Sequence, residues 1–195
     1  MKKNAFTFLE TLVVIAIFSL IFPLVLSILF IILQQQLRVF SLSEVKRQGD
    51  AIVNYLTTTI SNNAHTLYDI DRNEVCGANN VSYPVFGVPV FFRDRYNSEF
   101  SLIYNGPDLL IEYDIPSVPA PTFVFAKGQL NNSRVRLSSF SIDCQRLLPF
   151  SAPLVSINFT ICYNISGTSC ASTEPQKVVS LDYRSNIKLR SFPTE

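Results

Sequence analysis

The chain opens on an apolar run and only later becomes mixed. Leu12 to Leu33 covers 22 residues, interrupted by Ser19, Pro23 and Ser27. At about 1.5 Å of rise per residue this makes roughly 33 Å of helix, enough to cross a bilayer core. Beyond Gln34-Gln35-Gln36, the residues Leu42, Val45, Gly49, Ile52, Leu56, Ile60 and Ala64 recur at spacings of three and four. That is the period of a helix with one apolar stripe. Gln48, Asp50, Asn54 and Thr57 to Thr59 fall on its other faces. The pattern predicts a membrane-spanning helix over residues 6–33 and its amphipathic continuation over 34–66, with Asn62-Asn63 as stop signals. Gly49 costs about 1 kcal/mol against alanine in such a helix and marks a candidate bend, while Pro23 removes one helix hydrogen bond.

From about residue 80 the texture changes to short alternating stretches rich in β-branched and aromatic residues. Strands are expected at Val85–Phe92, Phe100–Tyr104, Leu109–Ile115, Thr122–Ala126, Arg134–Ile142, Val155–Tyr163 and Val178–Leu189. Turns are expected at Asn105-Gly106-Pro107, Pro116 to Pro121, Lys127-Gly128 and Ser166-Gly167. Pro84 and Pro89 mark the first strand as an edge or a poor strand. The expected fold class is α+β: a long N-terminal membrane-spanning helix packed on an antiparallel β-sheet head, the β-rich head covering residues 67–195.

Composition narrows this picture. With 195 residues, 16% of them charged and 48% hydrophobic, the chain is too apolar for a disordered protein and too polar for a polytopic membrane protein. The formal net charge is +1, and residues 34–195 carry 14 basic and 14 acidic side chains. Nothing in that balance calls for a nucleic-acid partner. Lys2 and Lys3 favour a cytoplasmic N-terminus, although Arg38, Lys46 and Arg47 follow the run on its other side. The run is long for a cleaved signal peptide, and it ends without a small-residue cleavage site, so it reads as an anchor.

Glu10 breaks the apolar pattern. A carboxylate at bilayer depth costs about 2.5–3.5 kcal/mol on insertion scales, and less toward the interface. Glu10 therefore lies at headgroup level or meets a cation at its own depth. Cutting the Ala5–Phe6 bond would create such a cation, a free α-amino group four residues before Glu10.

The stretch Lys2-Lys3-Asn4-Ala5, followed by Phe6-Thr7-Phe8-Leu9-Glu10 and the apolar run, resembles the N-terminus of type IV prepilins and pseudopilins. The resemblance implies a leader over residues 1–5, removed by a membrane-embedded prepilin peptidase. It implies that Phe6 becomes a methylated N-terminus and that Glu10 neutralises the amine of a neighbouring subunit during assembly. It covers about residues 1–33. Two positions depart from the family's pattern: Ala5 stands where glycine is usual, and Pro23 comes a little early. The size of the head and its alternating end at Lys177–Arg190 look most like a minor pilin or the J-type minor pseudopilin. The implied partners are other pilin or pseudopilin subunits, prepilin peptidase and an inner-membrane assembly platform. The implied location is the cytoplasmic membrane, single-pass with the head outside the cytoplasm, and then a filament. An anchored binding domain that never polymerises is the alternative from another class.

Four cysteines, Cys76, Cys144, Cys162 and Cys170, all lie in the head. An even number there suits disulfides in an oxidising compartment, with four buried thiols as the alternative. Cys162 and Cys170 flank a loop that one bridge would clamp; Cys76 and Cys144 would then tie the segment after the helix to the sheet. The spacing fits no zinc ribbon. Asp69-Ile70-Asp71-Arg72-Asn73 is similar to the start of a calcium loop, but Glu74 stands where glycine is required and Asn80 where glutamate is. His65 reads as a residue at the helix end, not a ligand. Asn80, Asn131, Asn158 and Asn164 begin glycosylation sequons. No phosphate-binding loop, nucleophile elbow or dinucleotide turn is present in the sequence, so no enzyme activity, catalytic residue, metal or cofactor is expected.

Overall fold

The computed structural model describes residues 8–76, 81–84, 87–94, 99–106, 108–114, 128–146, 148, 151–163, 170 and 179–190. It divides into two units, Met1–Phe40 and Ser41–Glu195. One helix, α1, runs from Phe8 to Asn63, and continues through Pro23. It ends where Asn63 Nδ2 donates to the Thr59 carbonyl (2.8 Å) and the Ala64 N–H reaches the Ile60 carbonyl (2.9 Å). The second bond takes up one of the four carbonyls that the end of a helix otherwise leaves open.

Among the described residues the second unit contains two antiparallel sheets. The five-stranded sheet has the order β1-β3-β4-β5-β6, from β1 (Thr66–Tyr68), β3 (Val90–Arg93), β4 (Glu99–Asn105), β5 (Asp108–Asp114) and β6 (Gly128–Gln129). The four-stranded sheet has the order β2-β7-β8-β9, from β2 (Val81–Pro84), β7 (Val135–Gln145), β8 (Leu154–Tyr163) and β9 (Ser180–Lys188). The chain is thus α+β with one long apolar N-terminal helix.

Local chemistry explains the longer strands. Asn105 pairs with Asp108 across a two-residue turn, and Gly106 enters it at φ 71°, a left-handed angle glycine adopts without steric cost. In β7 the inward residues are Val135 and Leu137, then Phe140, Ile142 and Cys144. The alternation slips by one at Ser138, and there the register with β8 shifts from Leu137↔Ile161 to Ser139↔Thr160. One extra residue in β7 keeps both apolar halves on the same face. From β8, Val155, Ile157, Phe159 and Ile161 join them.

A single apolar core takes Val45, Ile52, Leu56 and Ile60 from the helix, Phe92, Phe100 and Leu102 from one sheet, and Ile142, Ile157 and Ile161 from the other. Leu42, expected in the buried stripe, is 43% exposed; the stripe begins with Glu44 and Val45 instead. Two disulfides are present, Cys76–Cys144 and Cys162–Cys170. The segment reaching Cys76 lies along β1, where the Val75 N–H donates to the Leu67 carbonyl (2.9 Å). Its bridge to Cys144 on β7 therefore joins the edge of one sheet to the interior of the other.

Several strand boundaries differ from expectation. In place of one strand over Val85–Phe92, residues 81–84 pair with β7 and residues 90–93 with β1 and β4, in different sheets. Pro84 does end an edge strand, but Pro89 precedes an interior one. Gly128, expected in a turn, begins β6. The expected strand Thr122–Ala126 and the turns at Pro116 to Pro121 and Ser166-Gly167 lie outside the described residues.

Candidate functional site

The first unit presents the chemistry that nothing among the described residues covers. Every residue from Phe8 to Phe40 is exposed, with the large hydrophobic ones ranging from 41% at Val14 to 83% at Phe8. A contiguous apolar surface of this size is foreign to water. The helix is long and apolar enough to cross a membrane. Its hydroxyls are satisfied within the helix: Thr11 Oγ1 donates to the Phe8 carbonyl (2.8 Å), Ser19 Oγ to that of Ala16 (2.8 Å) and Ser27 Oγ to that of Pro23 (2.9 Å). Such back-bonding lets serine and threonine lie in hydrocarbon without an unmatched donor. Glu10 is exposed near the start of this surface. Ala5 and Phe6, the expected processing residues, lie outside the described residues.

The second unit fixes the part of α1 that follows. Glu44 is buried, and its carboxylate accepts Arg47 Nε (3.1 Å), Arg47 Nη2 (2.8 Å) and Asn132 Nδ2 (2.9 Å). The Arg47 hydrogen bonds, then that of Asn132, hold its carboxyl below the usual range. Asn132 in turn is set by its Oδ1, which accepts the Arg134 N–H (3.0 Å). A turn later, Gly49 meets β9: a Cβ there would overlap the ring of Tyr183. The Tyr183 hydroxyl donates to the Lys46 carbonyl (3.2 Å), and its ring stacks on Phe159 at 5.1 Å. Burial, with the Asp50 carboxylate nearby, pushes the Tyr183 phenol up to about 12. Thr57 Oγ1 and Ser185 Oγ, 3.3 Å apart, continue the contact along the same strand. Gly49 therefore serves close approach between helix and strand.

The remaining polar groups are engaged in building the fold. Asp69 accepts the Asn73 N–H on Oδ1 (2.8 Å), and Arg72 takes φ 65° in the same turn, so the segment similar to a calcium loop folds as a short turn closed by the Tyr68↔Glu74 bridge. Among the described residues no group of three or more histidine, cysteine, aspartate or glutamate side chains gathers as a metal site. Glu99 accepts from both Arg72 and Arg93, and each arginine lies over an aromatic ring, Phe91 at 4.6 Å and Tyr68 at 4.5 Å respectively. Burial raises the Glu99 carboxyl, but the two arginines outweigh burial and leave it below its ordinary value. His65 sits at the helix end, where its N–H donates to the Arg93 carbonyl (3.0 Å). Burial, then the charge of Arg93, lowers its imidazole.

Of the sequons, Asn131 is buried: it accepts the Leu109 N–H (2.9 Å) and donates to the Val135 carbonyl (3.0 Å). Asn158 donates to Asp143 (3.1 Å), while Asn80 and Asn164 lie outside the described residues. Sequence reasoning passed over Glu44 and Tyr183. An i,i+3 acid–base pair was the signal for the first; the second had none without the sheet.

Comparison with protein-family models, curated proteins and solved structures finds no match. The fold itself defines an α+β head with two disulfides and one N-terminal helix able to span a membrane.

Proposed function

We propose that this chain is a minor pilin or minor pseudopilin, a structural subunit of a type IV pilus or of a filament like that of type II secretion. The observation that supports this most is one uninterrupted helix, Phe8–Asn63, whose residues from Phe8 to Phe40 are all exposed and mostly apolar and whose later part forms the spine of an antiparallel head. The leader-like segment before Phe6 and the lone carboxylate of Glu10 belong to the same reading. In that role the helix first holds the subunit in the cytoplasmic membrane and then packs with other subunits. Glu10 pairs with a neighbour's Phe6 amine, and the chain has no catalytic step of its own. A single-pass anchored binding domain shares the helix and the head but needs neither the cut nor the carboxylate.

Protein isolated from its native host tests the first half. Mass and N-terminal analysis should find Phe6 as the first residue; an intact Met1 would sink the filament reading. Glu10→Ala tests the second half. It should leave the membrane level unchanged and reduce recovery with sheared filaments, because breaking a poorly hydrated charge pair costs about 3–5 kcal/mol when truly buried. Recovery equal to wild type from a position below the tip would remove the carboxylate from assembly.

A further inference from the structure

Sheet edges are open donors and acceptors, and folded chains usually keep them short. Among the described residues three of the four edges obey that rule: β1 has three residues, β6 two, and β2 four, ending on Pro84. The fourth, β9, has nine residues, contains no proline, and pairs with β8 without a break in register from Leu154↔Lys188 to Cys162↔Ser180.

The hydrogen bonds at both ends of β9 show which residues face outward. The Tyr163 N–H donates to the Val179 carbonyl (3.0 Å), and the Leu189 N–H to that of Pro153 (2.9 Å). In an antiparallel ladder these narrow pairs recur every second residue. The odd residues of β9 therefore bond to β8, and the even ones, Ser180, Asp182, Arg184, Asn186 and Lys188, turn their N–H and C=O groups to the other side. Arg190, next in this series, has its N–H on the Ala64 carbonyl (3.2 Å), which marks where the open edge stops. Among the described residues no strand pairs with the edge before that point.

The same even residues carry exposed side chains. Asp182 is engaged by Thr160 Oγ1 (2.6 Å), and Asn186 by Ser156 Oγ (2.8 Å). Arg184 and Lys188 then present two cations on one face, four residues or about 13 Å apart. Charges at an edge discourage indiscriminate pairing. These repel a basic strand and favour an acidic one, so the feature that protects the edge also selects its partner.

We propose that the outer edge of β9 is a docking edge for an extended acidic segment of another protein, which adds as a further strand of the four-stranded sheet. Main-chain bonds to the even residues supply affinity, and carboxylates four residues apart, opposite Arg184 and Lys188, supply selectivity. A second copy fits this edge less well. The two-fold axis of an antiparallel β9–β9 pair stands normal to the sheet and reverses residues 44–63 of one copy against the other. Copies so reversed run residues 44–63 in opposite directions, against the common orientation of subunits that the proposed function implies.

The test uses full-length protein in detergent micelles and labelled nine-residue threonine-rich peptides, read by fluorescence anisotropy. One peptide carries two glutamates four residues apart, a second two lysines, and a third the same glutamates with prolines between them. The glutamate peptide should bind at least about tenfold tighter than either other peptide. It should also slow hydrogen exchange at the amides of Asp182, Arg184 and Asn186. The double variant Arg184→Glu, Lys188→Glu should keep the melting temperature and exchange the glutamate preference for a lysine one. Equal binding of the proline peptide would reduce the effect to charge attraction and overturn strand addition. Self-association of the peptide-free protein that disappears in the double variant would assign the edge to a second copy and overturn the proposal as well.

Discussion

Gly49 shows how a single residue can mean one thing in a helix and another in a fold. Inside an isolated helix, glycine to alanine gains about 1 kcal/mol. Here the new methyl would enter the ring of Tyr183, which is pinned by its bond to Lys46 and its stack on Phe159. Overpacking of this kind costs about 1–3 kcal/mol. Gly49→Ala should therefore destabilise in urea unfolding, and the same change in a Tyr183→Ala background should become neutral or stabilising. Loss in both backgrounds would show that the ring is not the cause. The helix stripe made Gly49 visible in the sequence, but its partner lies 134 residues away on β9, and no local pattern holds that information. Titratable residues set a second expectation. Glu44 and Glu99 have lowered carboxyls, so their contribution is full above the ordinary value of 4.5 and is lost as pH falls through their folded values. His65 is lowered from 6.5, so the unfolded chain takes up its proton first and stability declines from about pH 6.5 downward. Melting temperature should thus fall in two stages on acidification, and His65→Asn should flatten the upper stage while leaving the lower one in place.

At the level of elements, the two disulfides have unequal work. Cys162–Cys170 closes eight residues beside the end of β8, whereas Cys76–Cys144 closes 68 and joins two sheets through buried positions. Linking a chain typically contributes about 2–4 kcal/mol, with the longer loop contributing more. The pair Cys76→Ser, Cys144→Ser should lower the melting temperature more than Cys162→Ser, Cys170→Ser; the reverse order would mean that the short-range bridge, not the join between sheets, limits stability. The longer strands were legible because each has enough residues to show an alternation, β7 even across its slip at Ser138. β1, β2 and β6 have two to four residues and exist only through their neighbours, so no periodicity announced them. The division into two sheets was equally hidden. Residues 81–84 and 90–93 are each too short to carry a pattern, and only pairing with β7 or with β4 assigns them to their sheets. At the N-terminus the apolar run is plain in the sequence, whereas the roles of Phe6 and Glu10 rest on a resemblance, not on geometry.

For the whole molecule, burial divides the chain sharply. No residue from Phe8 to Phe40 is buried, and the first buried side chains are Glu44 and Val45. The core and both disulfides lie within Ser41–Glu195. A chain starting at Ser41 therefore loses exposed apolar surface and, among the described residues, no buried side chain. Its new helix end is also prepared for water. Ser41 and Glu44 stand at the spacing of a capping box, in which a serine oxygen meets the free N–H groups of the first turn. Glu44 is already committed to Arg47 and Asn132, so the serine alone should do the capping, worth about 1 kcal/mol. The prediction is that residues 41–195, secreted to an oxidising compartment, fold as a soluble protein. Both bridges should be formed, and the melting temperature should lie within a few degrees of that of the full chain in micelles, as expected for a change of about 1 kcal/mol in a domain of this size. Circular dichroism, peptide mapping without reductant and sedimentation measure the three parts. A truncated chain that aggregates or melts far lower would show that the first forty residues hold the head together, and the division into an anchor and an independent head would fall.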